Sequence, residues 1–327
     1  MNEHGLQLAV HKTELVLATK KRVPRVVPML VDNQVIETAP AVRYLGVMID
    51  SKLTFWNHIS KIADRAARIV NNLSRLMANI GGPSPLKRKL LMRVAESVIV
   101  YGAEIWSVAL GTEMYRKRIN SVHRRAALRI TSAYRTVSGP AVLVIAGAIP
   151  IYILAKERRR IYLRKDEHSK IRVKREERDR SLLEWQEEWE REHRGRWTAR
   201  LIKQLKPWLS REHGEVNYYI TMFLSGHGYY EAYLHRMGIS PSSRCRYCDD
   251  QWDDVQHTFF ACLRWRNLRR LLETKVGVIT PDNVVDKMLS SRESWAQIAV
   301  YISELLKTKK EEEPRRLVAE YSEDNDE

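Results

Sequence analysis

Residues 56–76 read WNHISKIADRAARIVNNLSRL, and this stretch decides the fold class because it carries the helical period most clearly. Apolar side chains recur there at intervals of three and four residues, which is the spacing of one face of an α-helix. They are Ile59, Ile62, Ala66, Ile69, Leu73 and Leu76. The period continues toward the C-terminus, so we predict further helices over residues 85–106 and 112–135, with Gly81-Gly82-Pro83 as the first break.

The sequence before this helix has the character of short strands. Residues 28–31 and 35–36 are apolar and flank a turn at 32–34, and residues 42–49 (VRYLGVMI) predict a third strand that contains a glycine. With the apolar segment 14–19, these look like pieces of one antiparallel sheet. Because three or four strands without covering helices are marginal alone, residues 1–50 are a poor independent domain. The fold class is therefore α+β and mostly α.

The sequence after the three helices changes twice in composition. Residues 155–197 are densely charged with few apolar positions, which predicts a long exposed helix or a helical connector. Helices follow over 197–209 and 218–237, and a last helix is predicted to be capped by Ser294. We expect five units: 1–50, 51–155, 156–200, 201–310, and an acidic disordered tail at 311–327.

The charge of the chain is large and uneven. Its 327 residues have a net charge of +16, and residues 311–327 alone carry eight acidic and two basic side chains, which leaves +22 on the first 310. A surplus of this size favours a polyanionic partner, since cations placed on phosphates release counterions. The alternative is a soluble protein that happens to be basic.

Two basic clusters are candidate phosphate contacts. One is the run Lys20-Lys21-Arg22, and the other is one face of the helix predicted over 112–135, where a solvated surface is the alternative explanation. The cations on that face are Arg116, Lys117, Arg118, Arg124, Arg125 and Arg129.

The composition excludes several classes of protein. The longest apolar run, 140–154, is shorter than the roughly 20 residues that span a bilayer, so we expect no membrane partner. Residues 1–12 lack the pattern of a signal peptide, and three cysteines are too few for a disulfide framework, which favours a reducing compartment. The basic stretch 170–175 is a candidate nuclear-localisation signal, so we expect the nucleus, with the cytoplasm as the alternative.

The three cysteines lie within 18 residues, in the pattern C-x2-C-x8-H-x4-C formed by Cys245, Cys248, His257 and Cys262. Zn²⁺ binds such ligands in a tetrahedron, and a closed Cys3His set is a structural site without an open position. We therefore predict a structural zinc whose binding orders the local fold. The alternatives are three buried reduced cysteines, or competition for the ion from His227 or His235.

Tyr247-Cys248-Asp249-Asp250 also matches the YxDD motif of a polymerase catalytic turn. The carboxylates of that turn hold two Mg²⁺ ions on a hairpin flanked by apolar strands. The flanks here are charged, and Cys248 is already a predicted zinc ligand. We therefore reject the catalytic interpretation and predict no catalytic residue.

Several segments together resemble the part of non-LTR retrotransposon reverse transcriptases that follows their catalytic motif. Lys12-Thr13-Glu14, Tyr44-Leu45-Gly46-Val47 and the stretch YGAEIW at 101–106 carry this resemblance. The segments YRTVS at 134–138, GRW at 195–197 and SGHG at 225–228, with the x8 spacing of the knuckle, are most similar to the type-1 element of insect ribosomal DNA.

The resemblance implies a polyprotein that copies element RNA onto nicked chromosomal DNA, with RNA or DNA as partner. It implies that residues 1–50 are a palm remnant in which Lys12 lies near the incoming nucleotide and Tyr44-Leu45-Gly46 is the primer-grip hairpin. Residues 51–155 would be the thumb, and 201–310 a helical unit with a zinc knuckle. Our candidate nucleic-acid contacts are Lys12, Lys20, Lys21, Arg22, Tyr44, Leu45, Gly46, Arg124, Arg125, Arg129 and Arg135.

The chain departs from the family at one decisive point. The family's catalytic turn lies upstream of the position of Lys12, so we expect the fingers, most of the palm and the endonuclease to be absent. Mg²⁺ would then belong only to the full-length enzyme. We expect a fragment that binds nucleic acid without polymerising. The alternatives are a decayed open reading frame without activity, or a truncated gene prediction of an intact reverse transcriptase and endonuclease.

Overall fold

The computed structural model describes residues 9–19, 21–22, 26–31, 33–248 and 250–323, with side chains as far as residue 312 except that of residue 10. Its described part is mostly helical with two small antiparallel sheets, which confirms the mostly-α prediction. Assigning parts of it to a palm, thumb and connector stays a prediction.

Two hairpins form the N-terminal region after a 3-10 turn at Val10–Lys12. Strands β1 (Pro28–Val31) and β2 (Gln34–Glu37) pair with each other, as do β3 (Ala41–Tyr44) and β4 (Val47–Asp50). The predicted single sheet is therefore wrong, and the apolar segment 14–19 contributes only a bridge from Leu15 to Thr38.

The predicted strand 42–49 is wrong because the chain reverses in its middle. Leu45 has φ 45° and Gly46 has φ 85°, so both central residues of the turn have positive φ. Two such residues make the tight connection whose twist suits a hairpin. Glycine is required here for space as well, since a Cβ at position 46 would lie 2.9 Å from the ring of Tyr101.

Helices occupy the three segments predicted within residues 51–155, and two further helices over 139–163 were not predicted. Together these helices are α1 (Trp56–Ser74), α2 (Pro85–Ile99), α3 (Ala103–Trp106), α4 (Glu113–Thr131), α5 (Gly139–Ala146) and α6 (Ile151–Leu163). Helix α1 buries Ile59, Ile62, Ala66 and Val70, whereas Leu76 lies beyond its end and is exposed. The predicted helix 85–106 divides at Gly102, whose φ of 62° ends the helical path.

The charged segment 155–197 does not form one long exposed helix. Helix α7 (Lys170–Arg191) instead packs back against α6 after a turn at 164–169, and it buries Val173, Trp185 and Trp189. The prediction of an exposed helix, made from the charge density, failed because the acidic and basic side chains that suggested it pair with each other between α6 and α7.

Short helices and one long helix complete the chain. They are α8 (Arg196–Leu201), α9 (Leu205–Ser210), α10 (Tyr218–Ser225), α11 (Glu231–Arg236), α12 (Arg266–Val276), α13 (Val284–Ser290) and α14 (Arg292–Glu323). Ser291, not Ser294, caps α14, because its Oγ accepts from the Ser294 backbone N–H at 2.9 Å. The helix extends through Glu323, across much of the segment that we expected to be disordered.

Buried apolar side chains from Val47 to Leu306 form one contiguous cluster, in which Trp106, Trp208 and Tyr230 are the largest fully buried side chains. The five predicted units stay a prediction, since none of their boundaries is tested by this packing. Within the described residues no single helix is long and apolar enough to cross a membrane. Only two bent pairs, each taken together, have the required length and composition: Pro85–Ile99 with Ala103–Gly111, and Gly139–Ala146 with Ile151–Leu163.

Two histidines make the fold sensitive to acid. His58 is buried, and its Nδ1 accepts from the Met48 backbone N–H at 3.3 Å, so the neutral ring is required there. Burial lowers the pKa of His58 to about 4, and burial together with Arg236 lowers the pKa of His227 to about 4.

We expect the protein to lose stability as the pH falls from 6.5 toward 4. In this window the unfolded chain binds protons that the folded chain excludes, so each histidine contributes a loss of at most about 3 kcal/mol. Urea unfolding at pH 7, 5.5 and 4.5 measures it. A His58→Gln/His227→Gln variant should show a flatter dependence, and an unchanged dependence would contradict the assignment.

Candidate metal centre and nucleic-acid interface

Two local structures position the four candidate metal ligands. Cys245 and Cys248 lie in a loop after α11 that is closed by a hydrogen bond from the Cys245 N–H to the Asp250 carbonyl at 3.0 Å. His257 begins a π-helical turn, His257–Ala261, and the Cys262 N–H donates to the His257 carbonyl at 2.8 Å. A π turn joins residues that are five apart, so it brings Cys262 close to His257.

The ligand atoms of Cys245, Cys248, His257 and Cys262 all lie within 4.8 Å of one another. The Cys245 and Cys262 sulfurs are 3.8 Å apart, and the Cys248 sulfur lies 3.3 Å from His257 Nε2. Two thiolates bound tetrahedrally to one zinc at about 2.3 Å would lie ~3.8 Å apart, so the Cys245–Cys262 sulfur distance is that of two ligands sharing one ion. The four residues can therefore hold a metal.

The surroundings of the ligands also suit a metal. Cys245, His257 and Cys262 are buried. His257 Nδ1 lies 3.1 Å from an Asp250 carboxylate oxygen without hydrogen-bond geometry, and a carboxylate behind a ligating histidine commonly orients its ring. The contact between the two buried sulfurs raises the pKa of Cys245 and lowers the pKa of Cys262.

A buried ion pair that the sequence analysis missed anchors this centre to α14. Lys309 Nζ lies 2.7 Å from Asp253 Oδ2 and 3.1 Å from Thr258 Oγ1, and both charged side chains are buried. Asp253 also accepts from the Glu231 N–H at 3.1 Å. One signal was present in the sequence: Lys309 follows Ile302 and Leu305 at helical spacing, on the predicted apolar face of the last helix.

The two competing histidines and the catalytic YxDD interpretation find no support in the described residues, whereas buried reduced cysteines stay an alternative. His227 Nδ1 pairs with Thr136 Oγ1 at 2.9 Å, and His235 Nδ1 lies 2.9 Å from the Ser240 carbonyl, so neither lies in the ligand cluster. No strand occurs in the described residues around the YxDD letters, and Asp249 lies outside those residues. The hairpin that a catalytic turn requires is therefore not seen at residues 244–248 or 250–254.

The candidate nucleic-acid contacts near the N-terminus are exposed where the structure describes them, except that Gly46 is half-buried. Lys12 ends the first 3-10 turn, Lys21 and Arg22 lie in an irregular segment, and Lys20 lies outside the described residues. Tyr44, Leu45 and Gly46 form the tip of the β3–β4 hairpin, where Tyr44 and Leu45 are 64% and 76% exposed. That segment is therefore a hairpin, as the resemblance implied.

The arginines of α4 divide into exposed and structural groups. Arg125 is exposed, as is Arg135 in the following loop. Arg124 instead donates to the carbonyls of Arg135 and Val137, so its guanidinium shapes that loop. Arg129 is half-buried and offers its carbonyl to Arg88 at 3.2 Å.

A cleft beside the hairpin carries cations that sequence reasoning did not select. It has a volume of about 1050 Å³, lies between the hairpin and helices α1 and α2, and includes Arg43, Lys61, Arg65 and Arg68. These four side chains are exposed, whereas the lining carboxylate Asp64 is paired with Arg118. The i, i+4, i+7 spacing of Lys61, Arg65 and Arg68 was the available signal.

The relatives of this chain come from mobile elements. The Retrovirus-related Pol polyprotein from type-1 retrotransposable element R1 2 of Nasonia vitripennis is 26% identical over 91% of this chain. A second Nasonia vitripennis Pol polyprotein, from element R1 4, is 28% identical over 80% of it. The chain is related to the Pol polyproteins of type-1 retrotransposable elements. The family resemblance stated from the sequence is thus confirmed.

Coverage of the type-1 relatives varies. The chain spans 78% and 70% of these two Nasonia proteins, but 27% of the 115 kDa protein in type-1 retrotransposable element R1DM of Drosophila melanogaster, to which it is 25% identical. No family model matches the chain. No solved structure matches it either.

The segments that carry the family resemblance meet in space. Tyr101 of the YGAEIW stretch donates from its hydroxyl to the Leu45 carbonyl at 3.0 Å. Thr136 of the YRTVS segment pairs with His227 of the SGHG segment, and the Trp197 indole of GRW donates to the Phe223 carbonyl at 2.7 Å. These motifs therefore act as packing contacts between distant parts of the chain.

Proposed function

We propose that this retrotransposon-related chain is a polyprotein fragment that binds element RNA or target DNA, holds one structural zinc, and does not polymerise alone. The observation that carries the proposal is the cleft of Arg43, Lys61, Arg65 and Arg68 beside the exposed hairpin tip. Four exposed cations around an open cleft suit a phosphate backbone, because they neutralise it with little desolvation.

The geometry of the cleft supports this assignment. Lys61, Arg65 and Arg68 lie on one face of α1 and extend over ~10 Å of its axis at about 1.5 Å per residue. Arg43 faces the same space from strand β3. The exposed ring of Tyr44 at the adjoining tip is suited to stack on a base.

The zinc would have a structural role. Cys245, Cys248, His257 and Cys262 supply four ligands, so the ion would have no open position for a substrate. Within the part of the chain that the structure describes, this is the one group of three or more potential ligands close enough to hold a metal. Target DNA would place its action in the nucleus.

Binding to nucleic acid should depend steeply on salt and on the cleft. For six to ten phosphate contacts, affinity for duplex falls by about 10³–10⁵ between 50 and 200 mM salt. An Arg43→Gln/Lys61→Gln/Arg68→Gln variant should bind more weakly. Its salt slope, the slope of log affinity against log salt concentration, should be shallower by about 2–3. Fluorescence anisotropy with labelled RNA and DNA across this salt range measures both effects.

The matched control is Arg191→Gln/Lys206→Gln/Lys307→Gln, which removes the same charge from exposed positions outside the cleft. We expect it to bind nearly as the unmodified chain does. Equal losses in the two triple variants would mean that only net charge matters, and a flat salt dependence of the unmodified chain would reject nucleic-acid binding.

A further inference from the structure

A second cationic groove lies where α6 and α7 form a helical hairpin, remote in sequence from the α1 cleft. Its volume is about 840 Å³, and seven cations but only two carboxylates line it. The floor includes Val173, which is buried, and Tyr162, whose side chain is half exposed. The groove therefore combines a strong positive field with an aromatic surface.

The acidic side chains between these helices are occupied by arginines of the same hairpin. Glu177, which is buried, pairs with Arg160 at 2.6 Å and with Arg164 at 2.9 Å. Glu157, also buried, pairs with Arg178 at 2.8 Å. The hairpin thus neutralises its internal charges, and the remaining cations face outward without compensation.

Five lining cations make no ion pair within the described residues, and all are exposed: Arg158, Lys165, Lys170, Lys174 and Arg175. Three of the five lie in the basic stretch 170–175, and the fold brings Arg158 of α6 and Lys165 of the following turn to the same groove. Lys165 Nζ lies 5.1 Å from the ring centroid of Tyr162, so a cation and an aromatic face are presented side by side.

We propose that this groove is a second binding site for the phosphate backbone of nucleic acid. The inference rests on the proposed function for the identity of the polyanion, whereas the site follows from the charge and geometry of the hairpin. A repeating phosphate chain suits five spaced cations better than an acidic protein surface does, since counterion release grows with each neutralised phosphate. Tyr162 would favour single-stranded segments, whose bases are free to stack.

The test is a Lys165→Gln/Lys170→Gln/Lys174→Gln variant of the full chain, measured by anisotropy with RNA and with duplex DNA. We expect affinity to fall at least tenfold near 100 mM salt and the salt slope to become shallower by about 2–3. The control is again Arg191→Gln/Lys206→Gln/Lys307→Gln. Zinc content and circular dichroism check that both variants fold.

Each outcome decides the proposal. If the groove variant binds like the control while the cleft variant is weakened, this inference fails and the proposed function stands; if neither is weakened, both fail. A competition experiment compares poly-glutamate with poly-uridine of equal charge. If poly-glutamate displaces RNA from the groove as effectively, the phosphate site is rejected in favour of an acidic protein partner. A Tyr162→Ala change should weaken RNA more than duplex, and an equal effect on both would remove the stacking role.

Discussion

A Cys262→Ser variant is expected to lose stoichiometric zinc and the ordered structure of the knuckle, residues 245–262. Cys262 is 1% exposed, and its sulfur lies 3.8 Å from that of Cys245, so a serine hydroxyl would face the other three ligands without replacing a thiolate. Structural zinc contributes on the order of 10–16 kcal/mol in small zinc-folded peptides. Metal analysis and thermal unfolding with and without chelator measure the loss.

The control for this prediction is His235→Ala. His235 is exposed, and its Nδ1 lies 2.9 Å from the Ser240 carbonyl, outside the ligand cluster. It should retain about one zinc per chain and unfold nearly as the unmodified protein does. A Cys262→Ser protein that kept full zinc, or an unmodified protein without zinc, would contradict the metal centre.

A Lys309→Met variant is expected to be one of the most destabilising single changes outside the ligands. It removes the cation from a side chain that is 4% exposed and leaves Asp253, which is 0% exposed, without its charge partner. Breaking a buried pair in this way costs about 3–5 kcal/mol. Because Asp253 also bonds to Thr258, next to His257, we further expect weaker zinc binding, measured by competition with a chromophoric chelator.

Two comparisons separate the ion pair from a general effect of removing a lysine. Lys307→Met changes an exposed lysine on the same helix and should alter stability by less than about 0.5 kcal/mol. Asp253→Asn combined with Lys309→Met should cost less than the sum of the two single changes, since the first removes the charge that the second leaves unpaired. Additive losses of stability in the double variant would contradict a stabilising Lys309–Asp253 ion pair. Equal losses for Lys307→Met and Lys309→Met would contradict it as well.

The four residues of the candidate metal site were predictable from the sequence, and most cations of the proposed nucleic-acid surfaces were not. A zinc knuckle depends on local spacing, so the sequence alone indicated Cys245, Cys248, His257 and Cys262 as a ligand set. Lys61, Arg65 and Arg68 of the proposed cleft belong to a helix that we selected only for its apolar face, and Arg43 belongs to strand β3. The predicted contact Arg124 proved to hold a loop through backbone carbonyls.

The sequence by itself determined the helical periods, the ligand set and the net positive charge, because each depends on residue type and short-range spacing. Only the tertiary structure decided which charges are free. Glu157 and Glu177 cancel arginines across a helical hairpin, Asp64 takes Arg118, and Lys309 enters the core to meet Asp253. A charge is neutralised or left exposed by its neighbours in space, and those neighbours are separated by 13 to 56 residues along the chain.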